Sequence, residues 1–422
     1  MERMEWSDIF ELRLHALDPD MSSLLEEQRA QNDGTVNLVA SETYCPRATI
    51  EAEASILINK NASGYPPRRS FGGGEIMDRV ERLACDRACR LFGAEHANIQ
   101  ALSSTLANVA VLRGLLKPGG RILSFDAAAG GHGSHGGGNH ISGQDYAVRT
   151  FGVDETTGRL DLDGARRIAR EFRPDMIIAG SSSYPLAMDF AAIAAIAREV
   201  GALTFADIAH VAGLIVGGLH ANPTPDYDVV TTSTHKTLCG PRTGGLILAR
   251  QVHGKAIDDA LMPGLQAAPG GHIIAARATL FALVGRPAFA RLMHAVVANA
   301  KALADGIREG GGSLYCGGTE THMVVVDLRG SAWDIEGLNA WLFRHGIVAN
   351  TTGLPARPGP NGRLGLRLGS TPMTIRGAGS GELREMGTAV ARLLAAGPRA
   401  PEDRTLAATI AEWARSFPPP PS

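Results

Sequence analysis

The sequence predicts an α/β protein: a mostly parallel sheet with helices on both faces, followed by a smaller α+β unit. Between residues 121 and 249, short apolar runs alternate with helical stretches. From about residue 286 the pattern changes to long helices around two β runs. A length of 422 residues, with 44% hydrophobic and 20% charged side chains, suits one large domain plus a smaller one. The same figures exclude a disordered or fibrous chain. The expected division is an N-terminal helical arm over 1–40, a large domain over 41–285 and a small domain over 286–422.

Taken in order, residues 6–31 carry Leu12, Leu14, Leu17, Met21, Leu24 and Leu25 among polar residues, which predicts one or two amphipathic helices. Residues 76–92 predict a helix closed by Gly93. A hydroxyl cluster opens a second helix over 103–116, and Pro118-Gly119 ends it. The runs 121–126, 176–182, 203–208, 228–234 and 244–249 predict strands of the parallel sheet, with a helix at 190–200 between two of them. Ligands of such a sheet gather at the carboxyl ends of its strands. The second unit is predicted as a helix at 289–309, a strand at 323–328, a helix at 334–345, a Pro/Gly-rich loop at 353–362, a strand at 363–369 and a helix at 380–396. The closing Pro-Pro-Pro-Pro-Ser is expected to fray.

The net charge of -2 gives no basic field for nucleic acid or an anionic membrane. No stretch reaches the roughly 18 apolar residues of a membrane span, and MERMEWSDIF is not the pattern of a signal peptide. Cys45, Cys85, Cys89, Cys239 and Cys316 are odd in number and scattered, which argues against a disulfide scaffold and for a reducing cytoplasm. Cys85 and Cys89 lie one helical turn apart but lack further nearby ligands, so no metal is expected.

Lysine occurs only at 60, 117, 236, 255 and 301. Lys236 stands out because it follows a strand that ends in hydroxyl residues, TTSTHKTL (231–238). A lysine at a strand end can condense with an aldehyde cofactor. Asp207 ends the apolar strand of FADIAHVAGL (205–214), with His210 three residues on. A buried aspartate needs a partner, either a cofactor's pyridinium nitrogen or the neighbouring histidine. Ser103, Ser104 and Thr105 open a helix, where free N–H groups favour a phosphate or simple capping by a hydroxyl. The glycines of GGHGSHGGGNH (130–140) fit close backbone approach to a flat ring better than a metal site.

Together with VASETY (39–44), NKNASGYPPRRSFGGG (59–74), AGGHGSHG (129–136), GPR (240–242) and LRLGSTP (366–372), these segments resemble the serine hydroxymethyltransferase family from about residue 20 to 415. The resemblance implies fold type I of pyridoxal 5'-phosphate (PLP) enzymes, like that of aspartate aminotransferase, with a seven-stranded sheet. It also implies a homodimer, or a tetramer built from it, with shared active sites. Lys236 would hold PLP covalently, with His235 beside it, and His132 would stack on its ring. Asp207 would pair with the pyridine nitrogen, and His210 and Ser182 would lie near the phenolic oxygen. Ser103, Ser104 and Thr105 would bind the phosphate, joined by Ala268 of the neighbour's loop, and Ser233 stands where the family has a threonine. Arg367 would clamp the amino-acid carboxylate with help from Ser41.

The departures concentrate where folate would sit. The family's tyrosine and glutamate are here Asn61 and Ser63, and its paired tyrosines are Ser70 and Phe71. Two folate-sandwiching leucines are Ala127 and Gly133, and a folate asparagine is Thr352. The phosphate loop G-G-Q-G-G-P is here Gly264-Leu265-Gln266-Ala267-Ala268-Pro269. The expectation is therefore a folate-independent relative like the L-threonine transaldolases of natural-product, including antibiotic, pathways. Such an enzyme cleaves threonine and joins the glycine unit to an acceptor aldehyde. Asn61, Ser63 and Phe71 would then line the substrate side. The alternatives are a serine or α-methylserine hydroxymethyltransferase, a threonine aldolase, or a PLP-binding scaffold without catalysis.

Overall fold

The computed structural model describes residues 9–357 and 361–421, so residues 6–8 of the first expected helix, 358–360 of the Pro/Gly-rich loop and Ser422 of the tail lie outside the described residues. One sheet is built from β1 (His96–Asn98), β2 (Arg121–Phe125), β3 (Ala147–Phe151), β4 (Met176–Gly180), β5 (Leu203–Asp207), β6 (Val229–Ser233) and β7 (Gly245–Ala249). Their order across the sheet is β1-β7-β6-β5-β4-β2-β3. Strands β2 to β6 pair in parallel. The run at 244–249 departs from the parallel expectation, because β7 is antiparallel to both β6 and β1. Only residues 234–244 separate β6 from β7, with no helix among them. A parallel return needs a crossover of a dozen or more residues, usually helical.

Every residue of β4, β6 and β7 is buried; β4 and β7 accordingly read as continuous apolar runs, while β6 ends in the buried hydroxyl residues Thr231, Thr232 and Ser233. Side chains alternate between two layers. Leu123, Phe125, Ile177 and Ala179 enter one core, while Ile122, Met176, Ile178, Phe205 and Ile247 enter another on the opposite face. Strands β1 and β3 carry no such run: one has three residues, and the other is an edge strand buried fully only at Phe151.

Of the helices, α1 (Pro19–Asp33) is capped by the Asp18 carboxylate, which accepts from the Met21 N–H at 2.9 Å. A four-residue helix, Leu14–Leu17, precedes it, so the expected arm is broken at Asp18-Pro19. Its leucines 17, 24 and 25 are exposed in the single chain. Helix α2 (Glu75–Phe92) ends on Gly93 at φ 73°, the left-handed conformation that favours glycine. Helix α3 (Ser104–Leu115) follows β1, α4 (Leu162–Phe172) and α5 (Phe190–Val200) flank β4, and α6 (Gln251–Leu261) and α7 (Gly271–Val284) follow β7.

A second core gathers around β8 (Met323–Asp327), β9 (Asn350–Gly353) and β10 (Leu364–Gly369), an antiparallel sheet in the order β8-β10-β9. It is covered by α8 (Pro287–Glu309), α9 (Ile335–Arg344), α10 (Ser380–Ala396) and α11 (Arg404–Ser416). α8 serves both cores: Met293 and Val296 belong to the first, Leu303 and Ile307 to the second. Val36 and Leu38 also pack into the second core, and Val36–Asn37 pairs in parallel with Ile347–Val348. Helices α8 and α10 touch backbone to backbone, since a Cβ at Gly306 would stand 1.9 Å from the Arg384 carbonyl oxygen. The end of α11 is tied to the second core just ahead of the proline tail. Arg376 donates to the carbonyls of Phe417 and Ala414, and Pro418 to Pro421 line a cleft with Leu25, Gln28 and Arg29 of α1. No single helix among the described residues is long and apolar enough to cross a membrane.

Candidate active site

The loops that leave β2, β4, β5 and β6 at their carboxyl ends converge with the N-terminus of α3 and with Arg367 of β10. Asp207, the last residue of β5, is buried. Its Oδ2 accepts from Asn108 Nδ2 at 2.8 Å and lies 3.0 Å from His135 Nε2, and Oδ1 accepts from the Ala209 N–H at 3.0 Å. Burial opposes its ionisation, but the hydrogen bond and charge of His135, joined by His132 and Lys236, hold the carboxyl well below the usual carboxylate range. The alternative Asp207–His210 pair does not form. The histidine that reaches Asp207 comes from the glycine-rich loop, while His210 Nδ1 lies 3.5 Å from His322 Nε2, with the two ring planes 18° apart. Burial drives His210 well below its ordinary range and His322 down to about 3.

Asn108 ties four pieces together. Besides Asp207, it donates to Ser134 Oγ at 2.8 Å and accepts from Thr231 Oγ1 at 2.6 Å, linking α3, the glycine-rich loop, β5 and β6. His132 Nδ1 accepts from the Ser134 N–H at 3.2 Å. Its proton therefore sits on Nε2. Burial lowers this histidine to about 4, so it is neutral at pH 7.

Lys236, three residues past β6, is half-buried. Desolvation lowers its amine to about 8, against the attraction of Asp207. Close by in sequence, the buried Ser233 Oγ and His235 Nδ1 have no hydrogen-bond partner. Buried polar atoms are normally paired, so these orphans mark a place for a polar group from outside the chain. Ser103 caps α3 by accepting from the Leu106 N–H at 3.0 Å, and Ser104 and Thr105 form its first turn. That end offers free N–H groups to an anion. Gln266 ties the loop after α6 to the end of the segment leaving β1, donating to the Gln100 carbonyl at 2.8 Å; Ala268 is half-buried two residues on.

Arg367 is buried, and burial lowers it to about 10, so it stays a cation at pH 7. Nη1 donates to the Ser182 carbonyl at 2.6 Å and lies 3.1 Å from its hydroxyl. Ser182 thus engages Arg367. The Gly369 N–H donates to the Leu38 carbonyl at 2.8 Å, and His322 Nε2 lies 3.1 Å from the Ala40 carbonyl, which places Ser41 beside β10. The segment 59–74 looks elsewhere. Asn61 accepts from the Ser63 N–H, Tyr65 donates to the Asp258 carbonyl of α6, and Arg69 pairs with Asp78 and Glu81 of α2. Among the described residues, no hydrogen bond joins Asn61, Ser63 or Phe71 to the Lys236 cluster. Phe71 is 57% exposed, and Ile56 and Ile76 are also exposed.

Four residues of this site escape sequence reasoning. Asn108 left a signal, a lone amide on the apolar helix 103–116. His135 was one of three histidines among the glycines. His322 left none, nor did Asn350, whose side-chain oxygen accepts from Arg367 Nε at 3.3 Å. Among the described residues no cluster of three metal-ligating side chains occurs, and all five cysteines are free thiols.

A seven-stranded, mostly parallel sheet with a low-pKa lysine after one strand, an ionised aspartate ending the next and a phosphate-ready helix end defines a PLP-dependent enzyme of fold type I. The serine hydroxymethyltransferase family profile matches residues 14–390. The serine hydroxymethyltransferase of Mycobacterium avium is 43% identical over 408 residues, 95% of each chain. Serine hydroxymethyltransferase 1 of Mycobacterium tuberculosis is 43% identical over 390 residues, 91% of this chain and 89% of its own. The Kineococcus radiotolerans serine hydroxymethyltransferase is 41% identical over 418 residues, 98% of this chain and 95% of its own. The chain belongs to the serine hydroxymethyltransferase family, whose members are PLP-dependent transferases acting on amino acids as oligomers.

Proposed function

We propose that the protein is a PLP-dependent threonine transaldolase. It breaks the Cα–Cβ bond of L-threonine, releases acetaldehyde and joins the same Cα to the carbonyl carbon of an acceptor aldehyde. The product is a new β-hydroxy-α-amino acid, a building block of natural-product biosynthesis. The observation that carries the reading is the space at the folate-facing positions. Gly133 is exposed, and a Cβ placed on it would meet nothing within 4 Å. Ala127 is also exposed, and β9, with Thr352, packs against the short helix that Ala127 opens. Room and polarity thus replace an apolar sandwich, and Ser63 cannot supply the carboxylic acid of the family's glutamate. The proposed acceptor is a hydroxylated aldehyde, and the proposed compartment is the cytoplasm.

PLP, when bound, delocalises the electron pair left at Cα when a bond there breaks. Lys236, whose burial lowers its amine to about 8, gives up its proton more readily than an ordinary lysine, which suits it to hold the cofactor and to take or return a proton at Cα. Ser103, Ser104 and Thr105 would take the phosphate, and Asp207 would face the pyridine nitrogen. His132, neutral and protonated at Nε2, would lie against the ring with Nε2–H as a donor. His210, Ser233 and His235 would complete the cofactor's surroundings. Arg367 and Ser41 would hold the amino-acid carboxylate, which fixes the Cα–Cβ bond relative to the ring. Asn61, Ser63, Phe71 and Ala268 would come from a second copy of the chain, and the exposed Ile56, Phe71 and Ile76 are apolar side chains such a partner could cover. Sedimentation should therefore show a dimer or a tetramer, and a fully active monomer contradicts the shared site.

The deciding measurement is acetaldehyde release from threonine with and without tetrahydrofolate, together with mass analysis of products from a panel of aldehydes. Folate-independent release and a new β-hydroxy amino acid support the reading. The 41–43% identity to serine hydroxymethyltransferases favours a second reading, hydroxymethyl transfer with an altered carrier site. A many-fold acceleration of serine cleavage by tetrahydrofolate would establish it instead.

A further inference from the structure

We propose that Asn350 is a positioning residue that selects which edge of the Arg367 guanidinium receives the amino-acid carboxylate. The inference rests on Arg367 being the carboxylate site. Asn350 opens β9 and stands opposite Arg367 in the register of β9 with β10. Its amide nitrogen donates to the Thr351 carbonyl at 3.0 Å. That bond fixes the orientation of the amide and turns its oxygen toward Arg367. The oxygen accepts from Nε at 3.3 Å and from Nη2 at 3.2 Å. One neutral acceptor therefore spans the Nε/Nη2 edge of the planar fork.

The remaining donors decide where a substrate enters. Arginine has five N–H groups. Asn350 takes the Nε hydrogen and one on Nη2, while Nη1 serves the Ser182 carbonyl and hydroxyl. The second Nη2 hydrogen stays free, on the edge that Nη2 shares with Nη1. A carboxylate arriving at that edge takes the free hydrogen and exchanges only the longer contact, the one to the Ser182 hydroxyl. Arriving at the other edge, it would have to expel Asn350. Arg367 forms no ion pair among the described residues, although it is buried. A buried cation without a counter-charge is costly, and the substrate carboxylate is the partner that relieves it. An uncharged amide suits this task, because it orients the fork without neutralising it. Asn350 and Thr352 also share one face of β9. The residue that sets the carboxylate thus sits two positions from the side proposed for the acceptor.

The test uses the PLP-loaded enzyme, titrated with glycine and with ethylamine, which lacks a carboxylate, and read by visible absorbance. Asn350→Asp places a permanent carboxylate on the Nε/Nη2 edge, beside the incoming one. It should raise the glycine Kd by roughly 30-fold or more, the scale of a lost hydrogen bond to a charged group, and leave the ethylamine titration and cofactor content unchanged. Asn350→Ala frees that edge without adding charge. It should raise the glycine Kd about 3- to 10-fold, the scale of one neutral hydrogen bond, and raise KM for threonine with kcat kept. Arg367→Lys separates the two claims. If it leaves glycine binding unchanged, Arg367 is not the carboxylate site. If it weakens binding while both Asn350 variants bind glycine like the unaltered protein, the edge selection is overturned. Should Asn350→Asp fail to fold, Asn350→Ala decides alone, and an unchanged glycine Kd and KM refute the proposal.

Discussion

Arg277 of α7 is 1% exposed and stands directly behind the proposed phosphate site. Its guanidinium donates to the carbonyls of Ile99, Gly245, Ala101 and Thr243, the last three at 3.1, 3.2 and 3.2 Å. Those carbonyls belong to the chain as it leaves β1 toward Ser103 and as it enters β7. Burial lowers the side chain to about 10, so at pH 7 it remains charged. Leucine at this position would remove all four donors. Ala101 would keep one partner, the Gly245 N–H at 2.9 Å. Three carbonyls would lose the donor described here. At about 1 kcal/mol for each, the expected loss is roughly 3 kcal/mol, a large share of a domain's net stability. Arg277→Lys, with three donors on one nitrogen, should lose less. Urea unfolding of the cofactor-free protein measures both, and the PLP dissociation rate should rise in the order unaltered, Lys, Leu. An Arg277→Leu protein that loses less than about 1 kcal/mol, with PLP held as firmly as before, would refute the reasoning.

Lys236 should leave a pH signature in the cofactor-free protein. Its native amine titrates near 8, whereas an unfolded lysine keeps its proton to about 10.4. Between those values the unfolded chain binds more protons, so stability should climb with pH from about 8 to 10.4 and stay flat below. Urea midpoints at pH 7 and pH 10 for the unaltered protein and Lys236→Met should show this rise only in the former. Asp207→Asn keeps the side chain's shape and removes its charge; cofactor should still bind while cleavage falls about 100-fold or more. Equal rates would dismiss the aspartate's role. Ala127→Leu with Gly133→Leu refills the vacated side at about 1.5–3 kcal/mol of apolar burial per leucine. The pair should tighten tetrahydrofolate binding at least tenfold and slow transfer to large aldehydes, and calorimetry that finds no change in folate affinity would disprove the idea that these positions exclude it.

Much of this protein is written locally. Short runs rich in apolar residues and bounded by turn residues marked β2, β4, β5 and β6, because strands covered on both faces are largely apolar. Gly93 and Ser103 marked helix ends, because left-handed backbone and unpaired N–H groups each demand particular residues. Lys236 and Asp207 stood out as the wrong chemistry for their settings, the resemblance added His132 and Arg367, and the family it names is the one to which the chain belongs. What sequence could not decide is who faces whom. The direction of β7 depends on the length of one loop, and β1 and β3 are too short or too exposed to leave a pattern. Asp207 could have met His210 three residues away but meets His135, seventy-two residues upstream, because β5 ends beneath the loop that leaves β2. Arg367 finds Ser182 across the molecule and Asn350 across one strand, contacts that exist only once β10 is laid beside β9. Local propensity and patterning fix elements and the residues that carry charge; pairings between distant segments arise from packing, and in this protein those pairings set the protonation and orientation on which its chemistry depends.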